Sequence, residues 1–412
     1  MEKRRVVITG LGAVTPLGLT MDDSWQAVRR GVCGIGPITQ YDASAQKVKL
    51  AAEVRGFEPE MYMSRTEARH MGRFTQFAVA AAKQALESAR LTAFDPDRCG
   101  VIVSSGIGGQ IITEAEHLRG MERGFDRVSP FYIPTAISNM AAGQVAIAAG
   151  FRGMCACPVT ACAGGSNGVG DAFHYIRDGY ADAMLCGGTE ACITPLAIGG
   201  FTSMKALTQA TDPQRTSIQF DAERSGFVMS EGACVLLLES LEHAVARGAQ
   251  IIAEVSGYGA TCDAYHMTAP APDGAGAARA MEVALRDGGV AAEEIGYINA
   301  HGTSTQLNDA CETAAVRAAF GALADKLMVS STKSMTGHML GAAGAVEASF
   351  TALALRDGFI PATINFRNSD PACDLDIVAN EGRVADIRAA MSNSLGFGGH
   401  NVSLVLRRWE EA

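Results

Sequence analysis

One cysteine lies where a nucleophile would be exposed at the junction of two elements. The apolar run 158–160 ends just before Cys162, and the small-residue segment that follows predicts a helix. The start of a helix offers unpaired N–H groups and the positive end of the helix dipole, which lower the pKa of a nearby thiol. The sequence therefore predicts Cys162 as a nucleophile with an accessible thiolate, and we interpret the other ten of the eleven cysteines as ordinary small residues.

The same segment allows a second interpretation. Residues 164–168 are Gly-Gly-Ser-Asn-Gly, which fits the G-x-S-x-G pattern of a serine hydrolase. A nucleophilic serine must lie at the apex between strand and helix, whereas Ser166 is expected one turn inside the helix. A hydrolase that acts through Ser166 is therefore the less favoured alternative.

Cysteine chemistry on an acyl group needs hydrogen-bond donors for the carbonyl oxygen and usually a histidine. Two of the eight histidines, His301 and His338, lie in polar loop segments that each follow an apolar strand. The segment 396–399, Gly-Phe-Gly-Gly, adds a turn whose backbone N–H groups would be free to face an anion. These loops predict an acyl-transfer site if the fold brings them to Cys162.

Repeats within the chain indicate how the fold would bring these loops to Cys162. Three stretches of the first half match three stretches of the second half in the same order. The matched pairs are 6–13 with 253–260, 177–180 with 356–359, and 234–238 with 402–406. We therefore predict two copies of one α/β unit, residues 1–250 with the cysteine and residues 251–412 with the histidine loops.

Each copy alternates apolar strands with alanine-rich helices. The segments 163–177 and 342–356 carry Gly and Ala on every side, which is typical of helices buried on all faces. One such helix from each copy, packed together between two sheets, predicts a five-layered α-β-α-β-α sandwich.

A Gly-x-Gly sequence at Gly10 and Gly12 follows the first apolar strand. It lacks the third glycine of a dinucleotide-binding fingerprint. Because it recurs at Gly257 and Gly259, we interpret it as a structural turn of the repeat.

Composition excludes several classes of protein. The 412 residues include 34 Lys and Arg against 44 Asp and Glu, and this net charge of -10 argues against general binding of nucleic acid. The sequence has no uninterrupted apolar run long enough to span a membrane, so no membrane span is predicted. The odd number of cysteines without a C-x-x-C spacing is not typical of a disulfide framework or a zinc site, so we expect a cytoplasmic protein. The 46 glycines exceed the usual share of about 7% and predict many close backbone contacts.

Together these segments resemble the β-ketoacyl-acyl-carrier-protein synthases of the thiolase superfamily, most closely the elongating synthase II group. The resemblance covers essentially the whole chain and implies a thiolase-like α/β fold. Its motifs are Val-Thr-Ala-Cys at 159–162, Asn-Ala-His-Gly-Thr-Ser-Thr at 299–305, Lys-Ser-Met-Thr-Gly-His at 333–338 and Gly-Phe-Gly-Gly at 396–399. It implies a decarboxylative Claisen condensation in fatty acid or polyketide elongation.

The resemblance also implies a role for each matching position. Cys162 would carry the acyl group, the N–H groups of Cys162 and Phe397 would form an oxyanion hole, and neutral His301 and His338 would polarise the malonyl thioester. Lys333 would organise His338 and pair with Glu312. The remaining matches are substrate-binding Thr303, Thr305, Ile107, Phe201, Gly398 and Gly399, supporting Glu312 and Asp309, and the carrier-protein docking residues Arg65, Arg69 and Lys205.

Partners and cofactors follow from the same resemblance. The expected partners are acyl carrier protein in its acyl and malonyl forms and a second copy of the chain, with a heterodimer as the alternative assembly. A tunnel-shaping partner subunit without activity is an alternative function. No cofactor is expected for catalysis, but four residues resemble a structural site for a monovalent cation: Asn299, Glu347, Ser392 and Asn393. His400 departs from the pattern, since a threonine is usual after the last Gly-Gly.

Overall fold

The computed structural model describes residues 3–410, and we number its strands and α-helices in chain order. The strands are β1 (Val6–Val14), β2 (Gly36–Pro37), β3 (Leu50–Ala51), β4 (Cys99–Ser104), β5 (Cys155–Ala156), β6 (Ala183–Glu190), β7 (Gly232–Ser240), β8 (Ala253–Cys262), β9 (Ile295–Asn299), β10 (Met328–Ser330), β11 (Phe359–Ile360), β12 (Asp376–Ile377), β13 (Arg383–Val384), β14 (Ala389–Gly396) and β15 (His400–Arg408). The helices are α1 (Met21–Arg29), α2 (Arg65–Arg69), α3 (Arg73–Ala89), α4 (Gln110–Arg123), α5 (Tyr132–Ala136), α6 (Met140–Ala149), α7 (Gly164–Arg177), α8 (Pro195–Ser203), α9 (Leu241–Ala246), α10 (Ala275–Gly288), α11 (Gln306–Phe320), α12 (Lys333–Thr336) and α13 (Ala343–Asp357).

Strand order reproduces the repeat that the sequence predicts. Eleven strands follow one another in the order β12-β10-β9-β14-β15-β8-β1-β7-β6-β4-β5. β1 pairs antiparallel with β7, and β8 pairs in the same way with β15. β4 runs parallel to β6, as β9 does to β14. The two half-sheets are joined where Val6–Ile8 of β1 pairs with residues 253–255 of β8. The boundary at residue 250 lies just before β8 and stays a prediction.

Helices cover both half-sheets, which confirms the predicted five layers. α3 and α6 pack on the outer face of the first half-sheet, and α10 packs on β8 and β15 of the second. α7 and α13 pack against each other between the two half-sheets, within the largest apolar core. No helix within residues 3–410 is long and apolar enough to cross a membrane.

Glycines permit the contact between the two central helices. A Cβ atom at Gly165 would lie 2.8 Å from the backbone nitrogen of Ala345, and one at Gly344 would lie 2.8 Å from that of Ser166. Real Cβ atoms do not approach backbone atoms so closely, and interiors are too well packed to absorb the overlap. The two halves therefore meet backbone to backbone.

The Gly-x-Gly sequences have a different role from the turn that we expected. Gly12 lies inside β1 and Gly259 inside β8. A Cβ atom at Gly12 would overlap the carbonyl oxygen of Ala81 in α3, and one at Gly259 would overlap that of Ala280 in α10. The interpretation as a turn was wrong, because these glycines let an outer helix lie directly on a strand.

Gly12→Ala should lower the free energy of unfolding by about 1–3 kcal/mol, because the added methyl group must displace α3 from β1. Urea denaturation monitored by circular dichroism measures the change. Gly199→Ala in α8 is the matched control, since a Cβ there meets no atom within 4 Å. Equal stability of Gly12→Ala and the wild type would contradict the close packing described here.

Candidate active site

Cys162 lies at a sharp elbow directly before α7. It is the middle residue of a single 3₁₀ turn, Ala161–Ala163, and Ala161 has a φ of 50°, which is unusual for a residue other than glycine. The hydroxyl of Thr160 donates to the side-chain oxygen of Asn167 over 2.6 Å and ties the elbow to the first turns of the helix.

Ser166 does not occupy such an apex. It is fully buried within α7, and its Oγ lies 2.9 Å from that of Ser394. The serine-hydrolase pattern is therefore a sequence coincidence that marks the contact with α13 and β14.

Loops from both halves line one cavity of about 680 Å³. Of the residues expected at the site, the cavity walls contain Cys162, Phe201, Lys205, His301, Thr303, Thr305, His338, Phe397 and Gly399. Sequence reasoning missed other wall residues, including Phe227, Met267 and Leu340. Nothing in the sequence near Phe227 indicates its place, which is set by packing of its ring 5.2 Å from that of His338.

The two histidines lie side by side in the wall of the cavity that Cys162 also lines. Their ring centroids are 5.3 Å apart and the rings are nearly perpendicular. Burial lowers the pKa of both far below the usual value, and the positive charge of Lys333 lowers it further. Both rings are therefore neutral at physiological pH. Within the described residues, His338 Nδ1 is buried without a hydrogen-bond partner.

Lys333 lies behind the histidines with a partner different from the one expected. Its Nζ atom is 2.5 Å from Glu347 Oε1 and donates to the carbonyl oxygen of His301 over 2.5 Å. Glu312 instead accepts the backbone N–H groups of His301 and Gly302, each over 2.8 Å. The expected Lys333–Glu312 pair was wrong, because both oxygens of Glu312 hold the loop while Glu347 reaches Lys333 from α13. Lys333 also hydrogen-bonds to His301 rather than to His338.

Burial decides the protonation state of the nucleophile. Loss of water raises the pKa of Cys162 to about 12, while Lys333 and a hydrogen bond from the N–H of Phe397 lower it by less. The expected lowering of the thiol pKa was wrong, since removing the charge from water is the largest effect on it. Cys162 rests as a thiol and must lose its proton as it attacks.

The glycine-rich loop forms the turn between β14 and β15. The N–H of Gly398 donates to the carbonyl of Met267 over 2.8 Å, and that of Gly399 donates to Gly396 over 3.1 Å. These two N–H groups are not free to bind an anion, contrary to expectation. The backbone of Phe397 lies beside the Cys162 thiol and lowers its pKa slightly, and its role in an oxyanion hole stays a prediction. His400 begins β15 beside this loop.

The remaining candidate residues differ in whether they line the cavity. Thr303 and Thr305 share a hydrogen bond of 3.0 Å at the wall, and Asp309 accepts the N–H of Thr303. Ile107 is half-buried in the apolar cluster that contains Cys162 and Phe201, outside the lining of this cavity. Arg65 and Arg69 lie exposed on α2, likewise outside the lining, whereas exposed Lys205 stands at the wall.

Three of the four residues expected to bind a cation carry buried oxygens that lack partners within residues 3–410. These are Asn299 Oδ1, Glu347 Oε2 and Ser392 Oγ. Asn299 and Ser392 are register partners on β9 and β14, and the Asn299 amide donates to the Glu347 carbonyl over 3.3 Å. Asn393 differs, because its side-chain oxygen accepts the hydroxyl of Ser403.

Comparison with known proteins agrees with this site. The beta-ketoacyl synthase N-terminal domain matches residues 3–244 and the C-terminal domain matches residues 252–367. The 3-oxoacyl-[acyl-carrier-protein] synthase 2 of Synechocystis sp. is 50% identical, over 100% of this chain and 99% of that protein. The protein of that name from Staphylococcus aureus strain N315 is 49% identical over 99% of each.

Solved structures give the same result. "The ishigamide ketosynthase/chain length factor" is 37% identical with a TM-score of 0.92, over 99% of this chain and 100% of that one. A type II PKS ketosynthase in complex with its acyl-carrier protein, AntDE:AntF, is 34% identical with a TM-score of 0.91 and the same coverage. This chain belongs to the beta-ketoacyl synthase family.

Alkylation of Cys162 by iodoacetamide should accelerate about tenfold per pH unit from about pH 6 to about pH 10 without a plateau, because only the thiolate reacts. Lys333→Met should slow alkylation at every pH, since its charge stabilises the thiolate. Mass spectrometry of the peptide that contains Cys162 measures both rates.

Lys326→Met, at an exposed lysine, is the control and should leave the rate unchanged. A plateau below pH 8 would show that the thiol is already ionised near neutrality and would contradict the effect of burial.

Proposed function

We propose that this chain condenses an acyl group, held as a thioester on Cys162, with a malonyl group on acyl carrier protein, in the elongation of fatty acids or polyketides. The supporting observation is the cavity in which Cys162 of the first half meets His301 and His338 of the second. A nucleophile and two neutral imidazoles that line one cavity suit acyl transfer and stabilisation of an enolate.

The first step transfers the acyl group. Cys162 Sγ attacks the thioester carbonyl carbon of the acyl carrier protein, and a neutral imidazole takes the thiol proton. The N–H groups of Cys162 and Phe397 stabilise the oxyanion. The bond to the pantetheine sulfur then breaks, and that sulfur leaves with the proton.

The second step forms the carbon–carbon bond. His301 and His338 donate N–H to the malonyl thioester oxygen while the bond to the carboxylate breaks and CO2 leaves. The enolate carbon attacks the acyl carbonyl on Cys162, and Cys162 Sγ leaves as a thiolate that takes up a proton from solvent. The product is a 3-ketoacyl carrier protein two carbons longer. Lys333 acts by holding the His301 loop through its carbonyl.

A partner subunit without activity is the weaker alternative. Such a subunit needs to shape a tunnel but has no need for a nucleophile. Here Cys162, His301 and His338 are present and share one cavity, which favours the catalytic function.

The eleven unpaired cysteines fit the cytoplasmic location that we propose.

Carrier protein would dock at the mouth of the cavity. Lys205 lies at its wall, and Arg65 and Arg69 are exposed on α2. A chain of net charge -10 must bind an acidic partner through such a local basic patch. The hydroxyl groups of Thr303 and Thr305 would accept the pantetheine arm.

A second copy of the chain would cover a large apolar surface near β5. β5 is the last strand of the sheet and leaves one edge unpaired. Large exposed apolar side chains surround this part of the sequence: Leu118, Met121, Phe125, Phe131, Ile133, Ile137, Ile147, Met154 and Val159. Patches of this kind mark interfaces between proteins, and a twofold homodimer would bury both the patch and the edge.

The buried oxygens of Asn299, Glu347 and Ser392 would hold a monovalent cation. Such an ion is bound by oxygen ligands, and these three atoms otherwise lack partners within residues 3–410. The ion would satisfy Glu347 Oε2 while Glu347 Oε1 pairs with Lys333. This role is structural and supplies no step of the condensation.

Cys162→Ala should abolish condensation, with a loss of about 10³-fold or more, because no acyl-enzyme can form. Decarboxylation of malonyl carrier protein should persist, since it depends on the histidines. Release of 3-ketoacyl product and of CO2 measures the two activities separately. Cys99→Ala, at a thiol buried in β4, is the control, and normal elongation by Cys162→Ala would refute the mechanism.

Ile147→Asp should convert the dimer into a monomer, because it places a charge in the apolar surface, where Ile147 is 73% exposed. Sedimentation velocity at micromolar concentration measures the mass. Val384→Asp, at a position 88% exposed in the second half, should remain dimeric. An Ile147→Asp protein that stays dimeric would show that the subunits meet elsewhere.

A further inference from the structure

A buried carboxylate that the mechanism above does not use lies close to the active site. Glu190 is the last residue of β6 and is fully buried. Its Oε1 accepts the hydroxyl of Ser105 over 3.0 Å and the N–H of Ile107 over 3.1 Å. Its Oε2 accepts the N–H groups of Gly106 over 2.8 Å and Gly341 over 3.1 Å.

These four donors come from two different loops. Residues 105–107 follow β4 in the first half and include Ile107, which packs in the apolar cluster around Cys162. Gly341 belongs to the turn Leu340–Ala342 of the second half, which connects His338 to α13. One carboxylate therefore joins the acyl side of the site to the loop that carries a histidine.

The two loops are packed so closely that position 341 has no room for a side chain. A Cβ atom at Gly341 would lie 2.6 Å from the nitrogen of Gly106 and 2.9 Å from Glu190 Oε2. Glycine at position 341 thus lets its N–H reach the carboxylate. A side chain at position 341 would push the two loops apart.

The charge of Glu190 also acts on the nucleophile. Burial raises the pKa of Glu190, while the N–H and hydroxyl groups that its two oxygens accept act in the opposite direction. Its negative charge raises the pKa of Cys162, in addition to the larger effect of burial. Removing that charge would make the thiolate more accessible even while the loops lose their anchor.

We propose that Glu190 is a positioning residue that holds the Ile107 loop and the His338 loop in register across the two halves of the protein. The proposal rests on the condensing function described above. Glutamine can accept at only one of the two positions, because its amide nitrogen donates, so Glu190→Gln must release one pair of N–H or hydroxyl donors. A shift of about 1 Å in such loops slows an oriented reaction by about 10²-fold.

Glu190→Gln should therefore change two measurements in opposite directions. Condensation kcat should fall by about 10- to 100-fold. Alkylation of Cys162 by iodoacetamide near pH 8 should become about 2- to 10-fold faster, because one unit of thiol pKa changes the thiolate fraction tenfold. The melting temperature of each variant is measured as well, because a merely destabilised protein would also expose the thiol but would melt at a lower temperature than the wild type.

Glu190→Asp distinguishes the effect of the carboxylate's position from the effect of its charge. It also tests the proposal if Glu190→Gln fails to fold. It keeps the negative charge, so alkylation should match the wild type, while the shorter side chain reaches only one loop and condensation should fall. Glu53→Gln is the matched control, since Glu53 is another buried carboxylate that accepts only backbone N–H groups and a hydroxyl, from Thr39 and Gln40. It should change neither measurement.

Wild-type condensation by folded Glu190→Gln or Glu190→Asp would overturn the proposal, as would slower or unchanged alkylation of Glu190→Gln. Failure of the proposed function is recognised separately, because the wild-type chain itself would then form no 3-ketoacyl product. In that case the alkylation rates of the three variants still decide whether Glu190 controls the thiol.

Discussion

The close contact between α7 and α13 is the constraint on which the rest of the structure depends. Gly165 and Gly344 allow the two helix backbones to meet without intervening side chains. Cys162 lies in the 3₁₀ turn immediately before α7, and the turn after His338 leads into α13. The separation of nucleophile and histidine is therefore set by helix packing, and a side chain at either glycine would move the two halves of the site apart.

Burial determines the chemistry of the groups gathered there. It raises the pKa of Cys162 and lowers that of both histidines, so each rests in its neutral form. Lys333 pairs with Glu347, which reaches it from α13. A site of neutral donors with one compensated ion pair is suited to stabilising charge that develops only during the reaction. The carboxylates Glu190 and Glu312 complete it by holding loops through backbone N–H groups.

Much of the fold was open to prediction because the pattern repeats. Strand and helix periods, and three matches between the halves, predicted both central helices and the five layers. Predictions of finer features were wrong where the same local sequence pattern is compatible with two different structural environments. Gly12 and Gly259 suggested a turn, yet they are strand residues beneath a helix. Gly398 suggested a free N–H, yet Met267, from a segment distant in sequence, accepts it.

By itself, the sequence determined the duplicated α/β architecture, the family and the identity of Cys162, His301 and His338, because residue type and spacing along one chain carry that information. Only the tertiary structure decided that Glu347 rather than Glu312 pairs with Lys333, that the thiol is protonated, and that Glu190 joins two loops. Ion pairing and pKa depend on distances and on exclusion of water. Both are set by how the two halves pack, which no local stretch of residues records.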